Sequence, residues 1–406
     1  LLSFEEWHGI LSGWEYPLIG ITYIEVMAIV LIFTGLLLLG YVALLLYYRK
    51  GWKILPAFKI DPAQGAPHTF ISIIVPARNE AQQLPALLDS IAAQNFPRHL
   101  FELILIDDFS TDETAAIARS YDFVKVISLA QFIAPNSINS YKKKAIEIGM
   151  QHSKGELVLT TDADCVVGNN WLRTIAAYYE STQAQLMVMP VMFMNNHQPL
   201  GIFQLLDFMS LQGITGASVY KKMHSMCNGA NLAYTRSAFV AVDGFKGIDN
   251  IASGDDMLLM HKIAKRFPEG IHYIKSEEVI VQTAAMDTLG SFLQQRIRWA
   301  SKADRYDDKS IFWVLLMVYM LNVLLLLVPV LLFFFYDLFL VKTWLCFLLI
   351  KVIAEMYYLL PVATFFSQRV ILLFFPLAEP FHILYTVVAG WLGKFGSYEW
   401  KGRRVK

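Results

Sequence analysis

From Val26 to Tyr48 the chain carries no charged residue. The run is long enough to cross a bilayer as one helix. Arg49, Lys50 and Lys53 follow at once, so the positive-inside rule predicts a span over 26–48 with residues 1–25 outside. A signal peptide is the competing reading, but the run is too long and its basic residues come after it. Apolar runs return at Ile311–Phe335, Leu338–Phe366 and Val370–Leu392, within a C-terminal membrane region predicted over 311–392. The second carries Lys342, Lys351 and Glu355, and ionisable groups at membrane depth face a bundle interior or a cavity. The third is interrupted by Pro376, Glu379, Pro380 and His382, which predicts a bent, re-entrant or interfacial segment. The tail 393–406 is basic (Lys401, Arg403, Arg404, Lys406) and belongs on the cytoplasmic side by the same rule. Four complete crossings would put it outside, so 370–392 is expected not to cross fully.

The chain is 56% hydrophobic and 17% charged, with mean hydropathy +0.44. That is too apolar for an ordinary soluble protein and too polar for a pure membrane bundle, so a folded polar region lies between the spans. A net charge of zero gives no case for a nucleic-acid partner. Cys165, Cys227 and Cys346 are far apart and lack metal-ligand spacing, which argues against a disulfide framework. Residues 49–68, with Pro56, Pro62, Gly65 and Pro67, read as a linker. Within 69–285, strands are predicted at Phe70–Val75, Leu103–Ile106, Val124–Ser128 and Leu157–Thr161. Helices are predicted at Glu80–Gln94, Thr111–Tyr121 and Lys142–His152. Such alternation implies an α/β fold with a parallel sheet covered on both faces. Residues 199–220 are helical by period, as a core helix or on the membrane surface. Residues 286–310 hold an interfacial helix that runs into the next span.

The strand ends carry the chemistry. Leu157-Val158-Leu159 closes in Asp162-Ala163-Asp164, and open α/β sheets place ligands outside the carboxyl ends of their strands. Two neighbouring carboxylates suit a divalent cation with diphosphate oxygens, or simply start a turn. Pro76-Ala77-Arg78-Asn79-Glu80 offers N–H groups and charge to a ligand at a strand-to-helix turn, or Asn79 is a cap. Asp107 and Asp108 close a second strand, where a carboxylate can accept from a nucleobase or ribose; N-capping by Ser110 or Thr111 leaves that pair unexplained. Gly254-Asp255-Asp256 puts carboxylates at a helix N-terminus, as a general base toward a hydroxyl or as a cap. In Gln294-Gln295-Arg296-Ile297-Arg298-Trp299, Gln295, Arg298 and Trp299 share one helical face. They face a diphosphate and an acceptor, or lipid headgroups. Lys142, Lys143 and Lys144 form a further cationic group.

In their order, these motifs resemble the membrane-embedded family-2 glycosyltransferases of the D, D, D, Q-x-x-R-W type, the group of cellulose, chitin and hyaluronan synthases and ceramide glucosyltransferases. The resemblance implies a GT-A (Rossmann-like) fold inserted between one N-terminal and about three C-terminal hydrophobic segments. It implies inverting transfer from a nucleotide-diphosphate sugar, a UDP-sugar above all, and a divalent metal cofactor, Mg2+ or Mn2+. Carried over, Pro76, Ala77, Arg78, Glu80, Asp107 and Asp108 resemble nucleoside-binding positions, and Lys142 a phosphate-side lysine. Asp162, Ala163 and Asp164 resemble the donor site, with Asp162 and Asp164 as metal ligands. Asp256 matches the catalytic base, with Asp255 beside it. Gly229 and Ala230 resemble an acceptor-side loop, and Gln295, Arg296, Arg298 and Trp299 the acceptor and diphosphate motif. Trp400 to Arg403 resembles a basic tail. Tyr141 stands where the family commonly has Gly. The implied partners are a lipid or growing polysaccharide acceptor and the cell membrane, with the catalytic domain cytoplasmic. A processive synthase that also translocates its product would line a polar path with Lys342, Lys351, Glu355, Glu379 and His382. A non-catalytic membrane nucleotide-binding scaffold is the reading of another class.

Overall fold

The computed structural model describes residues 23–61, 63, 65–135, 137–194, 197–223, 226–251, 254–301, 309–334, 337–396, 398–400 and 403–405. Residues 1–22 and 302–308, Ser253, and Lys401, Gly402 and Lys406 of the basic tail lie outside the described residues.

A long helix, α1 (Tyr23–Ile54), leads into β1 (Ile71–Ala77), α2 (Leu84–Ala92), β2 (Phe101–Asp107), α3 (Thr114–Arg119), β3 (Val124–Ser128), α4 (Tyr141–His152) and β4 (Leu157–Thr160). The chain continues through β5 (Cys165–Val166), α5 (Trp171–Thr182), β6 (Leu186–Val188), β7 (Val191–Phe193) and α6 (Pro199–Tyr220). Next come β8 (Leu232–Thr235), α7 (Arg236–Ala241), α8 (Met257–Arg266), β9 (Ile271–Tyr273) and β10 (Val281–Thr283). Four helices follow, α9 (Leu289–Ala300), α10 (Lys309–Phe334), α11 (Leu338–Phe365) and α12 (Phe375–Phe395), before a short hairpin of β11 (Tyr398–Trp400) and β12 (Arg403–Val405).

Seven strands form the main sheet in the order β3-β2-β1-β4-β8-β6-β9. Ile71, Ile73, Ile74 and Val75 of β1 and Leu103 to Ile106 of β2 are fully buried. That is why these strands read as continuous apolar runs rather than alternating ones. Each such Ile or Leu contributes roughly 1.5–3 kcal/mol by leaving water. The first four strands pair in parallel as expected, but β8 runs antiparallel to both β4 and β6, so the sheet is mixed. The added strands span only three or four residues each and carry no period of their own. A second sheet, β5-β10-β7, stands beside the first.

Helix α6 is a core helix, and it joins the sheet to the apolar helices. It packs on β7 and β9 on one side and on α1 and α11 on the other. A Cβ at Gly213 would lie 2.4 Å from the Tyr358 hydroxyl, so the close approach of α6 and α11 needs glycine there. Lys275, after β9, donates to the carbonyls of Trp52 (2.7 Å) and Leu55 (3.2 Å) at the end of α1. A cation at those last carbonyls also complements the helix dipole.

Among the described residues, four segments, Met27–Ile54, Ser310–Leu332, Leu338–Phe365 and Arg369–Phe395, are long and apolar enough to cross a membrane. The last is one continuous helix from Phe375 to Phe395 rather than a broken one, and both its flanks meet the polar region, Ser367 beside Val166 and Gly393 against Ala300. Pro376 sits in the first turn of α12, where its missing N–H costs nothing, and the helix runs unbroken past Pro380 to Phe395. A short 3-10 segment, Arg369–Phe374, absorbs the change of direction before it. Of the residues predicted to line a polar path, Lys351, Glu355, Glu379 and His382 come together in one cluster. Lys351 bonds Glu355 (2.7 Å) and Glu379, all three are buried, and Lys342 is exposed elsewhere on α11.

Candidate active site at the sheet edge

Strands β1 and β2 end level, with Ala77 opposite Asp107, and β4 ends beside them. The strand order reverses at β1, which has β2 on one side and β4 on the other. A crevice at such a switch point is where open α/β sheets bind ligands. The loops after β1 and β2 are tied together across this crevice. Arg78 donates to the carbonyls of Asp108 (2.8 Å) and Phe109 (3.0 Å). Thr111 N–H donates to the Asn79 side chain at 2.8 Å, and Glu80 N–H to the Thr114 hydroxyl at 2.8 Å. Asp107 accepts from Ser110 N–H at 3.2 Å. Asn79 therefore caps no helix of its own: it lies at φ 53°, and α2 begins only at Leu84. Pro76 and Ala77 belong to the β1 strand itself, and Glu80 and Asp108 are buried in these turns.

The three consecutive lysines have three different surroundings. Lys144 makes a surface pair with Glu147 at 2.9 Å. Lys143 is buried and donates to the carbonyls of Ile248 (2.8 Å) and Ile251 (2.6 Å), and the Ser140 hydroxyl donates to Asp249. These bonds draw the loop that leads to Asp255 and Asp256 onto the N-terminus of α4. Lys142 then bridges the strand end and that loop, 2.6 Å from Asp162 Oδ1 and 3.2 Å from Asp255 Oδ2. Burial by itself would lower the Lys142 ammonium; Asp162, Asp255 and Asp256 outweigh it and hold it above the ordinary lysine value. Tyr141, in place of the usual glycine, is buried edge-on against Phe109 at 6.0 Å between ring centroids. It fills the space between α4 and the loop after β2.

Gly229 closes the cluster from above. Its N–H donates to Asp256 Oδ2 at 3.2 Å, and a Cβ there would lie 2.9 Å from Asp255 Oδ2 and 3.3 Å from Lys142 Nζ. Ala230, buried beside it, donates to the Asn228 side chain at 3.0 Å. Asp256 is also the N-cap of α8, accepting from Met257 N–H at 2.7 Å. The capping and the site readings of Asp256 describe one geometry: two N–H groups orient a carboxylate that the crevice can reach. Lys142, Asp162, Asp255, Asp256 and Gly229 thus converge from four separate parts of the chain.

The donor set at Asp162 and Asp164 fits a hard divalent cation. Both acids flank buried Ala163, and the Asp162 side chain keeps 36% of its surface exposed while Lys142 holds one of its oxygens. Burial, then the charges of Asp164 and Asp162, push the thiol of Cys165, next along, well up. Two carboxylates alone do not complete a coordination sphere, so the oxygens of a diphosphate and water would have to supply the rest.

The helix with Gln295 to Trp299 is α9, opened by a capping box of Thr288 and Ser291. Its motif divides in two. Gln295, Arg298 and Trp299 are half-buried, whereas Arg296 is buried in an ion pair with Asp207 of α6 at 2.7 Å. The Arg296 guanidinium lies 4.8 Å from the Phe292 ring centroid and 4.2 Å from that of Trp299. Sequence reading grouped Arg296 with the ligand-facing residues; the structure gives it a partner that no sequence motif marked.

A family model described as glycosyl transferase family 2 matches residues 72–240, and one described as glycosyl transferase family group 2 matches 157–378, more than half of the chain. The chain is 25% identical over 260 residues to an N-acetylglucosaminyltransferase of Rhizobium meliloti, covering 62% of this chain and 59% of that protein. It is 32% identical over 111 residues to the dolichyl-phosphate beta-glucosyltransferase of Homo sapiens, covering 24% of this chain and 32% of that one. The chain therefore spans less than two thirds of either relative. Among solved structures it is similar to a mannosyltransferase of Pyrobaculum calidifontis in complex with GDP-Man and Mn2+, at a TM-score of 0.55 and 20% identity over 90% of this chain and 98% of that one. With the mixed sheet, the acid-bearing strand ends and the flanking apolar helices, these matches establish that the chain belongs to the family-2 glycosyltransferases and has their GT-A fold.

Proposed function

We propose that this glycosyltransferase moves a sugar from a UDP-sugar, with inversion, to a membrane-lodged lipid acceptor at the cytoplasmic face. The observation that carries the mechanism is Lys142, held between Asp162 on the donor side and Asp255 beside Asp256. That one ammonium joins the end of β4 to the N-terminus of α8.

In this reading the loops at Pro76 to Glu80 and at Asp107 and Asp108 hold the nucleoside. A divalent cation, Mg2+ or Mn2+, on Asp162 and Asp164 supplies charge neutralisation to the diphosphate. Asp256 takes the proton of the acceptor hydroxyl, oriented by the N–H groups of Gly229 and Met257. The acceptor oxygen bonds to the anomeric carbon from the face opposite the diphosphate. The bond from that carbon to the phosphate oxygen breaks, and the nucleoside diphosphate leaves with the electron pair. Lys142 and Arg298 balance its charge, and Trp299 stacks on the acceptor.

Two observations favour a lipid over a polymer that is passed through the bundle. The ionisable groups of the apolar helices close on one another rather than lining a path. Several relatives are named for lipid-phosphate acceptors, among them the dolichyl-phosphate beta-glucosyltransferase and an undecaprenyl-phosphate 4-deoxy-4-formamido-L-arabinose transferase. Residues 69–285 form the catalytic domain, α9 lies at the interface, and α1, α10 and α11 cross the membrane, with Arg49, Lys50 and Lys53 inside.

The test is incubation of membranes bearing the protein with labelled nucleotide sugars, followed by separation of lipid extract from polymer. Label in the lipid fraction, dependent on added Mg2+ or Mn2+, is expected; label in polymer alone refutes the acceptor. Asp256→Asn should lower transfer by about 10²- to 10⁴-fold and leave nucleotide binding intact. Near-parental transfer by that variant removes Asp256 as the base.

A further inference from the structure

Helix α9 is anchored by Arg296, a buried residue of its motif that also donates to the Gln295 side chain at 3.0 Å. Arg296 pairs with Asp207 Oδ2 at 2.7 Å, with both side chains at 5% exposure or less. Asp207 Oδ1 in turn accepts from the Tyr385 hydroxyl of α12 at 2.5 Å. His382, one turn earlier on α12, lies 3.7 Å from Asp207 and 3.8 Å from Glu379. Glu379 meets Lys351, Lys351 meets Glu355, and Glu355 accepts from the Tyr41 hydroxyl of α1 at 2.5 Å. One buried polar chain therefore runs from α9 through α6 and α12 to α11 and α1. Phe203, Phe292 and Phe381 shield its α9 end, with ring centroids 4.6 to 6.2 Å apart.

We infer that Asp207 and Arg296 are positioning residues for the acceptor half of the reaction, fixing α9 relative to the membrane helices from which the acceptor comes. The inference rests on the reading above, in which Gln295, Arg298 and Trp299 meet acceptor and diphosphate. A buried ion pair is a poor source of stability, because apolar side chains of similar volume often do as well or better. What it supplies is geometry. The planar guanidinium, against Phe292 and Trp299, paired through Nη2 with Asp207 and through Nη1 with Gln295, fixes the rotation of α9 about its own axis. That rotation sets where Arg298 and Trp299 point, and small errors at such distances are costly to rate.

The experiment uses the full chain purified in detergent. The variants are Asp207→Asn, Arg296→Lys and the apolar double variant Asp207→Leu with Arg296→Met. Acceptor and donor are varied separately in steady-state transfer, with nucleotide binding and thermal unfolding measured alongside. In all three variants, kcat/KM for the acceptor should fall by about 10- to 100-fold while donor KM stays within about twofold. The apolar double variant should unfold no earlier than the parent and keep the acceptor defect; it also decides the matter if a single variant does not fold. Parental acceptor kcat/KM in the double variant overturns the inference, as does an equal loss toward both substrates. Parental transfer by Arg298→Ala and Trp299→Ala would instead refute the role of α9 itself, whatever the pair does.

Discussion

Two lysines in this enzyme each stand between two carboxylates. Lys142 sits between Asp162 and Asp255 at the edge of the sheet, and Lys351 between Glu355 and Glu379 among the apolar helices. They differ in what surrounds them. The Asp162 side chain is 36% exposed and that of Lys142 18%, whereas Lys351 is fully enclosed and Glu379 1% exposed. An open triad can exchange one internal partner for a ligand: a diphosphate that reaches Lys142 replaces contacts that water already screens. A closed triad has no such freedom: its charges neutralise one another and bind Tyr41 and His382 beside them. Like composition at the two places thus gives a cluster open to the crevice in one and a closed cluster in the other.

Removing each lysine should separate the two cases. Lys351→Met leaves two buried carboxylates without a cation, and the expected loss is about 3–5 kcal/mol of stability, seen as early thermal unfolding in detergent. Replacing Lys351, Glu355 and Glu379 together by apolar residues should recover most of that. Failure of the triple variant to recover would mean that this cluster is more than a fastening.

Lys142→Met should cost less stability, about 1–2 kcal/mol, because water screens Asp162, although Asp255 is left 11% exposed. Its effect on transfer should be the larger one, a fall of about 10²-fold or more in kcat/KM for the donor. The pairing should also persist across the working pH range. A lysine held above its unfolded value contributes stability that is complete below that value and is lost as pH rises through the folded one. Parental unfolding should therefore shift only in strongly alkaline buffer on this account, and a transition near neutral pH that Lys142→Met abolishes would contradict the assignment.

The smallest change sharpens the comparison most. Gly229→Ala adds one methyl 2.9 Å from Asp255 Oδ2 and 3.3 Å from Lys142 Nζ. Both groups end flexible side chains and can shift, so stability should change by about 1 kcal/mol. The displaced ammonium and the lost Gly229 to Asp256 bond should still lower transfer by about 10-fold. Parental kinetics would show that Gly229 does not frame the acids proposed for catalysis.

Much of the fold was legible because strands buried on both faces leave continuous apolar runs. β1 to β4 and the helices between them fall close to where hydrophobic pattern puts them, and the long apolar helices need only their length. What escaped were strands of three or four residues. Nothing in Leu186-Met187-Val188 or Ile271-His272-Tyr273 distinguishes a sheet edge from a buried turn. The antiparallel β8 follows a 3-10 turn at Gly229–Asn231 that looked only like a glycine-rich loop. In the site, acids at strand ends could be named one by one. Their convergence depended on Lys143 and Ser140 holding the 248–251 loop, which no local pattern encodes.

The sequence by itself determined the chemistry available: acids after apolar strands, a lysine at a helix start, a Gln-Arg-Ile-Arg-Trp helix and helices long enough for a membrane. Residue type and spacing along one element carry that information. Only the tertiary structure decided which charge meets which, because partners such as Arg296 and Asp207, or Lys142 and Asp255, lie far apart in the chain and are joined by packing alone. A lysine in a run of three reads the same whether it faces water, a carbonyl or a carboxylate. Burial and distance assign those roles, and both belong to the folded molecule.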